Sequence, residues 1–195
     1  MPQDRDFSRR AGLQAFFVAF FSLAYAAVYL GAVRDHPDAH GMAALAWALL
    51  TAGALSSTIA VVGLAGRVRG ALDRRYLALL GVGWALLSAA HGAYAGIAEL
   101  AGRTPPDLSP TDPRGFATFG LAGLWAITVG VIVSGGASDL PRRLGWFAIV
   151  DGVDLILLFV ATIAGSAPLI TVTGGLASVI LGPAFWIWTG RVLRR

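Results

Sequence analysis

The chain contains no cysteine and no lysine. The first absence excludes disulfides, thiolate metal sites and cysteine nucleophiles. The second excludes a Schiff base to retinal or pyridoxal, and an all-arginine basic set reads as the codon bias of a GC-rich bacterium. Charge is scarce as well. Only 13% of the 195 residues are charged, against about 25% in an ordinary soluble domain. No H-E-x-x-H, G-x-S-x-G or P-loop pattern occurs. His91 is the only histidine inside an apolar run, so haem ligation by two histidines across such runs is not available. The sequence therefore points to no enzyme, no cofactor and no resident metal. The net charge of +4 follows from anchoring arginines and does not suggest a nucleic-acid partner.

What the chain has in excess is apolar length. It is 56% hydrophobic, with a mean hydropathy of +0.70. Six apolar runs cover approximately 12–33, 42–66, 76–101, 116–135, 144–164 and 168–190. Each is close to the ~20 residues that cross ~30 Å of hydrocarbon. The expected fold is all-α: a polytopic six-helix transmembrane bundle, one domain over 1–195, with the lipid bilayer as its surroundings.

Orientation follows from arginine. With the N-terminus inside, Arg5, Arg9, Arg10, Arg67, Arg69, Arg74, Arg75, Arg142, Arg143, Arg191, Arg194 and Arg195 are internal, twelve of the fifteen basic residues. Arg34, Arg103 and Arg114 are external. Both termini are expected in the cytoplasm of a bacterial cell, the protein lying in its inner (plasma) membrane. Trp146, Trp186, Trp188 and Tyr76 fall near the inner boundary, where amphipathic rings prefer the headgroup level. Arg9, Arg10 and Ala24-Tyr25-Ala26 resemble a cleavable signal. The apolar run continues to Val33, so a retained helix is expected.

Two internal loops echo one another: Gly70-Ala71-Leu72-Asp73-Arg74-Arg75 and Gly136-Ala137-Ser138-Asp139-Leu140-Pro141-Arg142-Arg143. Hairpin duplication would give this, and so would the need of every internal loop for arginines and turn formers. The external segment from Gly102 to Gly115 holds Pro105, Pro106, Pro110 and Pro113, which argues against regular helix there. Glycine and alanine crowd the runs, and small residues let helices approach closely in lipid. Gly92 and Gly96 form a GxxxG packing face. Pro183 removes a backbone donor and should kink the sixth run.

The residues most able to carry chemistry are Asp151 and Asp154 in the fifth run. A carboxylate mid-membrane costs ~2.5–3.5 kcal/mol. Their i, i+3 spacing puts both on one helix face, roughly 10 and 15 Å inside the inner boundary. No basic residue lies within a run at that depth. His91 in the third run comes somewhat further out, ~22 Å from Tyr76. Asp151, Asp154 and His91 could form a ladder for protons, a cation or a small ligand, with Ser56, Ser57 and Thr58 supplying hydroxyls. A structural reading stands beside this one. Arg143 or Arg191 could reach Asp151, Asp154 could hydrogen-bond a neighbouring helix, and the hydroxyls could bond their own helix carbonyls. Asp35, His36, Asp38 and His40 in the first external loop read as solvated, not as a metal site, and Glu99 as an interfacial residue.

Three stretches resemble a loosely defined group of uncharacterised bacterial multi-span membrane proteins. They are Asp112-Pro113-Arg114-Gly115-Phe116-Ala117-Thr118-Phe119-Gly120, Leu140-Pro141-Arg142-Arg143-Leu144-Gly145-Trp146, and Gly182-Pro183-Ala184-Phe185-Trp186-Ile187-Trp188-Thr189-Gly190-Arg191. The resemblance implies a fold of about six helices and assigns no functional residue. The function expected first is therefore non-enzymatic: an accessory subunit or homo-oligomer acting through small-residue helix faces. The alternative is a proton- or cation-coupled transporter or channel, or a small-ligand-binding protein, using Asp151, Asp154 and His91.

Overall fold

Long apolar runs broken by glycine, proline and arginine give helices that end abruptly. The computed structural model describes residues 2–36, 38–103 and 118–195. The helices are α1 (Pro2–Val28), α2 (His40–Ala65), α3 (Ala71–Leu100), α4 (Leu121–Ser134), α5 (Arg142–Ile163), α6 (Ala167–Gly175) and α7 (Gly182–Leu193). A π-helical turn, Tyr29–Val33, prolongs α1, and a second, Leu176–Leu181, joins α6 to α7. Five segments are long and apolar enough to cross a membrane; the sixth, Thr118–Ser134, is apolar but shorter. Among the described residues no strand forms. The proline-rich loop, Pro37 and Arg114 lie outside the described residues.

Three helix ends share one device. Gly102, Gly136 and Gly165 adopt positive φ (66°, 83° and 63°) just beyond α3, α4 and α5. The next N–H then reaches back to a carbonyl inside the helix: Arg103 to Ala98, Ala137 to Ile132 and Ser166 to Ala161. This is the Schellman closure, which satisfies carbonyls the helix leaves orphaned.

Consecutive helices are neighbours, and α7 packs on α1, which closes the bundle into a ring. Glycine sets the closest seams. A Cβ on Gly152 would lie 2.7 Å from the Gly123 carbonyl, and one on Gly145 2.9 Å from the Gly130 carbonyl. These two pairs let α4 and α5 touch backbone to backbone. Gly12 and Gly190 do the same for α1 and α7, each 2.8 Å from the other's carbonyl by that measure. The expected packing face on α3 is also used internally. Gly92 sits against Thr51 and the Trp47 carbonyl of α2, and Gly96 against the Trp47 side chain.

The end that carries both termini is knitted shut. The two echoing loops pair with each other through an antiparallel bridge between Val68 and Ser138. Arg69 N–H donates to Ala137 O at 3.0 Å and Asp139 N–H to Arg67 O at 3.3 Å. The Arg67 guanidinium pairs with Asp139 at 2.9 Å and donates to Ser8 Oγ at 3.3 Å. Ser8 in turn donates to the Leu193 carbonyl at 2.8 Å. Above this lattice lies the core, in which Leu64, Leu77, Val129, Val133 and Leu144 are fully buried. At the opposite, distal end His40 Nδ1 meets Glu99 Oε2 at 2.7 Å, tying α2 to α3. Glu99, next to the last residue of α3, is thus buried and partnered by His40.

Candidate functional site

Between the helices lies a half-open cavity of about 470 Å³, to which all six helical segments contribute side chains. Its floor is aromatic. Trp125 stacks on Trp186 with ring centres 5.7 Å apart and planes at 12°, and Phe185 stands edge-on to both. Trp125 Nε1 donates to Leu77 O at 3.1 Å, so the ring is fixed by its polar handle as well as by packing. Trp84 leans on Trp125 at 6.1 Å. At the distal end Trp47 meets the His91 ring edge-on at 5.5 Å, and Tyr25 stacks on Tyr29 at 5.7 Å.

One wall is a helix with a π-helical stretch in it. In a π-helical register the Ser178 carbonyl would accept from the residue five positions on. That residue is Pro183, which has no N–H. Gly182 N–H takes the Ala177 carbonyl, and Ser22 Oγ of α1 donates to Ser178 O at 3.0 Å. A hydroxyl from the neighbouring helix thus replaces the donor that proline removed. Ser22, Ala177, Ser178 and Gly182 all line the cavity. The helix stays continuous from Ala167 to Leu193, and the donor that Pro183 removes is accommodated by the π-helical stretch just before it.

Asp151 lines the cavity and is 4% exposed. It lies about 14 Å along α5 from Arg142, level with the aromatic floor. Its Oδ1 has no hydrogen-bond partner among the described residues, and neither Arg143 nor Arg191 pairs with it: the ion pairs there are Arg67–Asp139 and His40–Glu99. His91 lines the same cavity but stands about 30 Å along α3, roughly 16 Å higher than Asp151. Asp154 is buried with Oδ2 unpartnered among the described residues, yet it is outside the cavity lining. The structure therefore brings Asp151 and His91 to opposite ends of one chamber and leaves Asp154 aside. Ser57 and Thr58 donate to Ala54 O and Leu55 O of their own helix, each at 2.6 Å. None of Ser56, Ser57 and Thr58 lines the cavity.

No family model, curated protein or solved structure matches the chain. Site assignment rests on the geometry alone. That geometry brings forward residues that the sequence reading passed over: Trp47, Trp84, Trp125 and Tyr25. For one of them the signal was position. Tryptophan favours the water-facing ends of membrane helices, and Trp84 lies thirteen residues into α3, far from both of its ends. Trp186, expected at the boundary, is 7% exposed and belongs to the floor. Trp146 and Tyr76 do stand outside, 63% and 50% exposed. Among the described residues no group of three or more histidines and carboxylates could hold a metal ion.

Proposed function

We propose that this chain is an integral protein of a bacterial inner membrane, six-spanning with both termini cytoplasmic, and that it holds a small molecule in its central cavity without catalysing a reaction. The apolar exterior supports the membrane reading: Leu72, Leu79, Ile97 and Leu100 are 68–80% exposed, an arrangement suited to lipid and costly in water. The orientation is supported by the twelve arginines gathered at the end that carries both termini, as the positive-inside tendency requires.

The observation that carries the ligand reading is a cavity of about 470 Å³, within the ~300–1,000 Å³ usual for small-molecule sites, with a buried carboxyl in its wall whose Oδ1 has no hydrogen-bond partner among the described residues. A carboxyl oxygen that costs free energy to bury and meets no such partner favours a group bound from outside the fold. Docking through small-residue faces draws less support, because Gly92, Gly96, Gly123 and Gly152 are already covered within the chain.

The test uses the protein in lipid nanodiscs and the neutral fluorophore N-phenyl-1-naphthylamine. Saturable uptake above empty discs is expected, with quenching of the wall tryptophans. It should be lost in Ala126→Phe, which fills the chamber from α4. Uptake by wild type no greater than by empty discs ends the ligand reading.

A further inference from the structure

Resting on the ligand reading above, the charge pattern of the chamber narrows what it takes. The lining contains one carboxylate, Asp151, at the floor, and no arginine. Its one basic side chain, His91, is at the far end. The rest is aromatic and aliphatic, with Trp84, Trp125, Trp186 and Phe185 around the level of the acid. Indole faces carry negative quadrupole charge and attract cations within about 6 Å of the ring. An acid set among them, with the one basic ring of the lining at the far end, gives the floor of the chamber a preference for positive charge.

That pattern excludes two ligand classes. An anion would meet Asp151 with no cation beside it. A bare metal ion needs several oxygen or nitrogen ligands, about six to eight for calcium and an octahedron for magnesium; one carboxylate among indoles does not supply them. An organic cation meets every requirement. Its charge answers Asp151, its periphery presents weakly hydrated C–H groups to the tryptophans, and its apolar body fills the volume. We propose that the cavity binds a lipophilic organic monocation, its charged centre held between the Asp151 carboxylate and the tryptophan faces of the floor.

Two probes of matched shape and opposite charge test this: tetraphenylphosphonium and tetraphenylborate, titrated against the full chain in nanodiscs, with empty discs as blank and N-phenyl-1-naphthylamine as neutral reference. Tetraphenylphosphonium is expected to bind saturably and quench tryptophan, and tetraphenylborate not to bind. Asp151→Asn should weaken the cation about thirtyfold or more while its helical circular dichroism and its melting transition in the discs stay those of a folded bundle. Asp151→Glu should retain most of the affinity. Trp84→Leu should cost about threefold to tenfold. Equal binding of both ions, or cation binding indifferent to Asp151→Asn, overturns the proposal. So does uptake of the neutral reference alone, which leaves the ligand reading standing. No saturable binding of any probe removes both.

Discussion

The terminal half of the bundle and its distal half are built from the same six segments and the same residue types, yet one is solid and the other hollow. Below the Trp125–Trp186 stack, leucines and valines from four helices fill the centre and the loops are bonded to one another. Above it, the helices keep their close glycine seams with their neighbours but leave a chamber between them. Seam contacts and core contacts are thus separable. Small residues decide how near two adjacent helices come, while large residues pointing inward decide whether the middle is filled. A hollow ring is stable when its seams are tight, and the vacancy in it is the part that costs packing contacts.

The largest expected effect lies at the boundary. Trp125 is 2% exposed, stacked on Trp186 and hydrogen-bonded to Leu77. Trp125→Ala should cost about 3–5 kcal/mol and join the chamber to the core. Trp47→Ala, at the distal rim where the ring is only part-buried, should cost less than half as much. Reversible unfolding in mixed micelles measures both; equal losses would erase the distinction between the halves.

Next come the seams. Gly152→Val places side-chain atoms onto the Gly123 carbonyl and Ile127, and overpacking of this kind costs about 1–3 kcal/mol. Gly83→Ala is the control. It lies mid-helix in α3 with nothing within 4 Å of a new Cβ, and exchanging glycine for alanine in a helix interior gains up to about 1 kcal/mol. A Gly152→Val protein as stable as wild type would mean that the α4–α5 seam is not what keeps the hollow half standing.

The π-helical wall gives a third, smaller effect with a sharper signature. Ser22→Ala leaves the Ser178 carbonyl without its donor, at about 1–2 kcal/mol. Pro183→Ala restores a backbone N–H near that carbonyl, so the cost of Ser22→Ala should shrink in the double variant. Additive losses would show that the hydroxyl and the proline do not answer one another.

The six segments, the all-helical fold and the irregular helix before Pro183 could be read from the sequence, because apolar length and proline chemistry are local. The two aspartates also stood out, since an acid inside an apolar run has no local excuse. The chamber did not. In a soluble helix the inward face is the apolar one; here Val150 and Val153 are more than 45% exposed while Ala148 beside them is fully buried, so hydropathy does not tell inside from outside. Without that cue Trp186 read as a boundary anchor and Asp154 as lying in one ladder with Asp151 and His91. His40 and Glu99, fifty-nine residues apart, could be joined only by the antiparallel return of α2 on α3.

The smallest expected effects compare the two ion pairs, one at each end. Arg67 and Asp139 are 28% and 50% exposed, and an exposed pair contributes about 0–1 kcal/mol, less in salt. The terminal lattice also has backbone bonds that need no side chain, so Arg67→Ala with Asp139→Ala should show a coupling near the bottom of that range, fading as salt is raised. The distal pair is different. The Glu99 side chain is 10% exposed and His40 36%, and no backbone bond between α2 and α3 backs it up. Removing His40 leaves a nearly buried carboxylate without its partner, so His40→Ala should cost about 1 kcal/mol or somewhat more and respond little to salt. The solid end thus adds backbone bonds between its loops to its ion pair, while the hollow end relies on helix packing and a more buried pair. A larger coupling at Arg67–Asp139 than at His40–Glu99 would reverse that ordering.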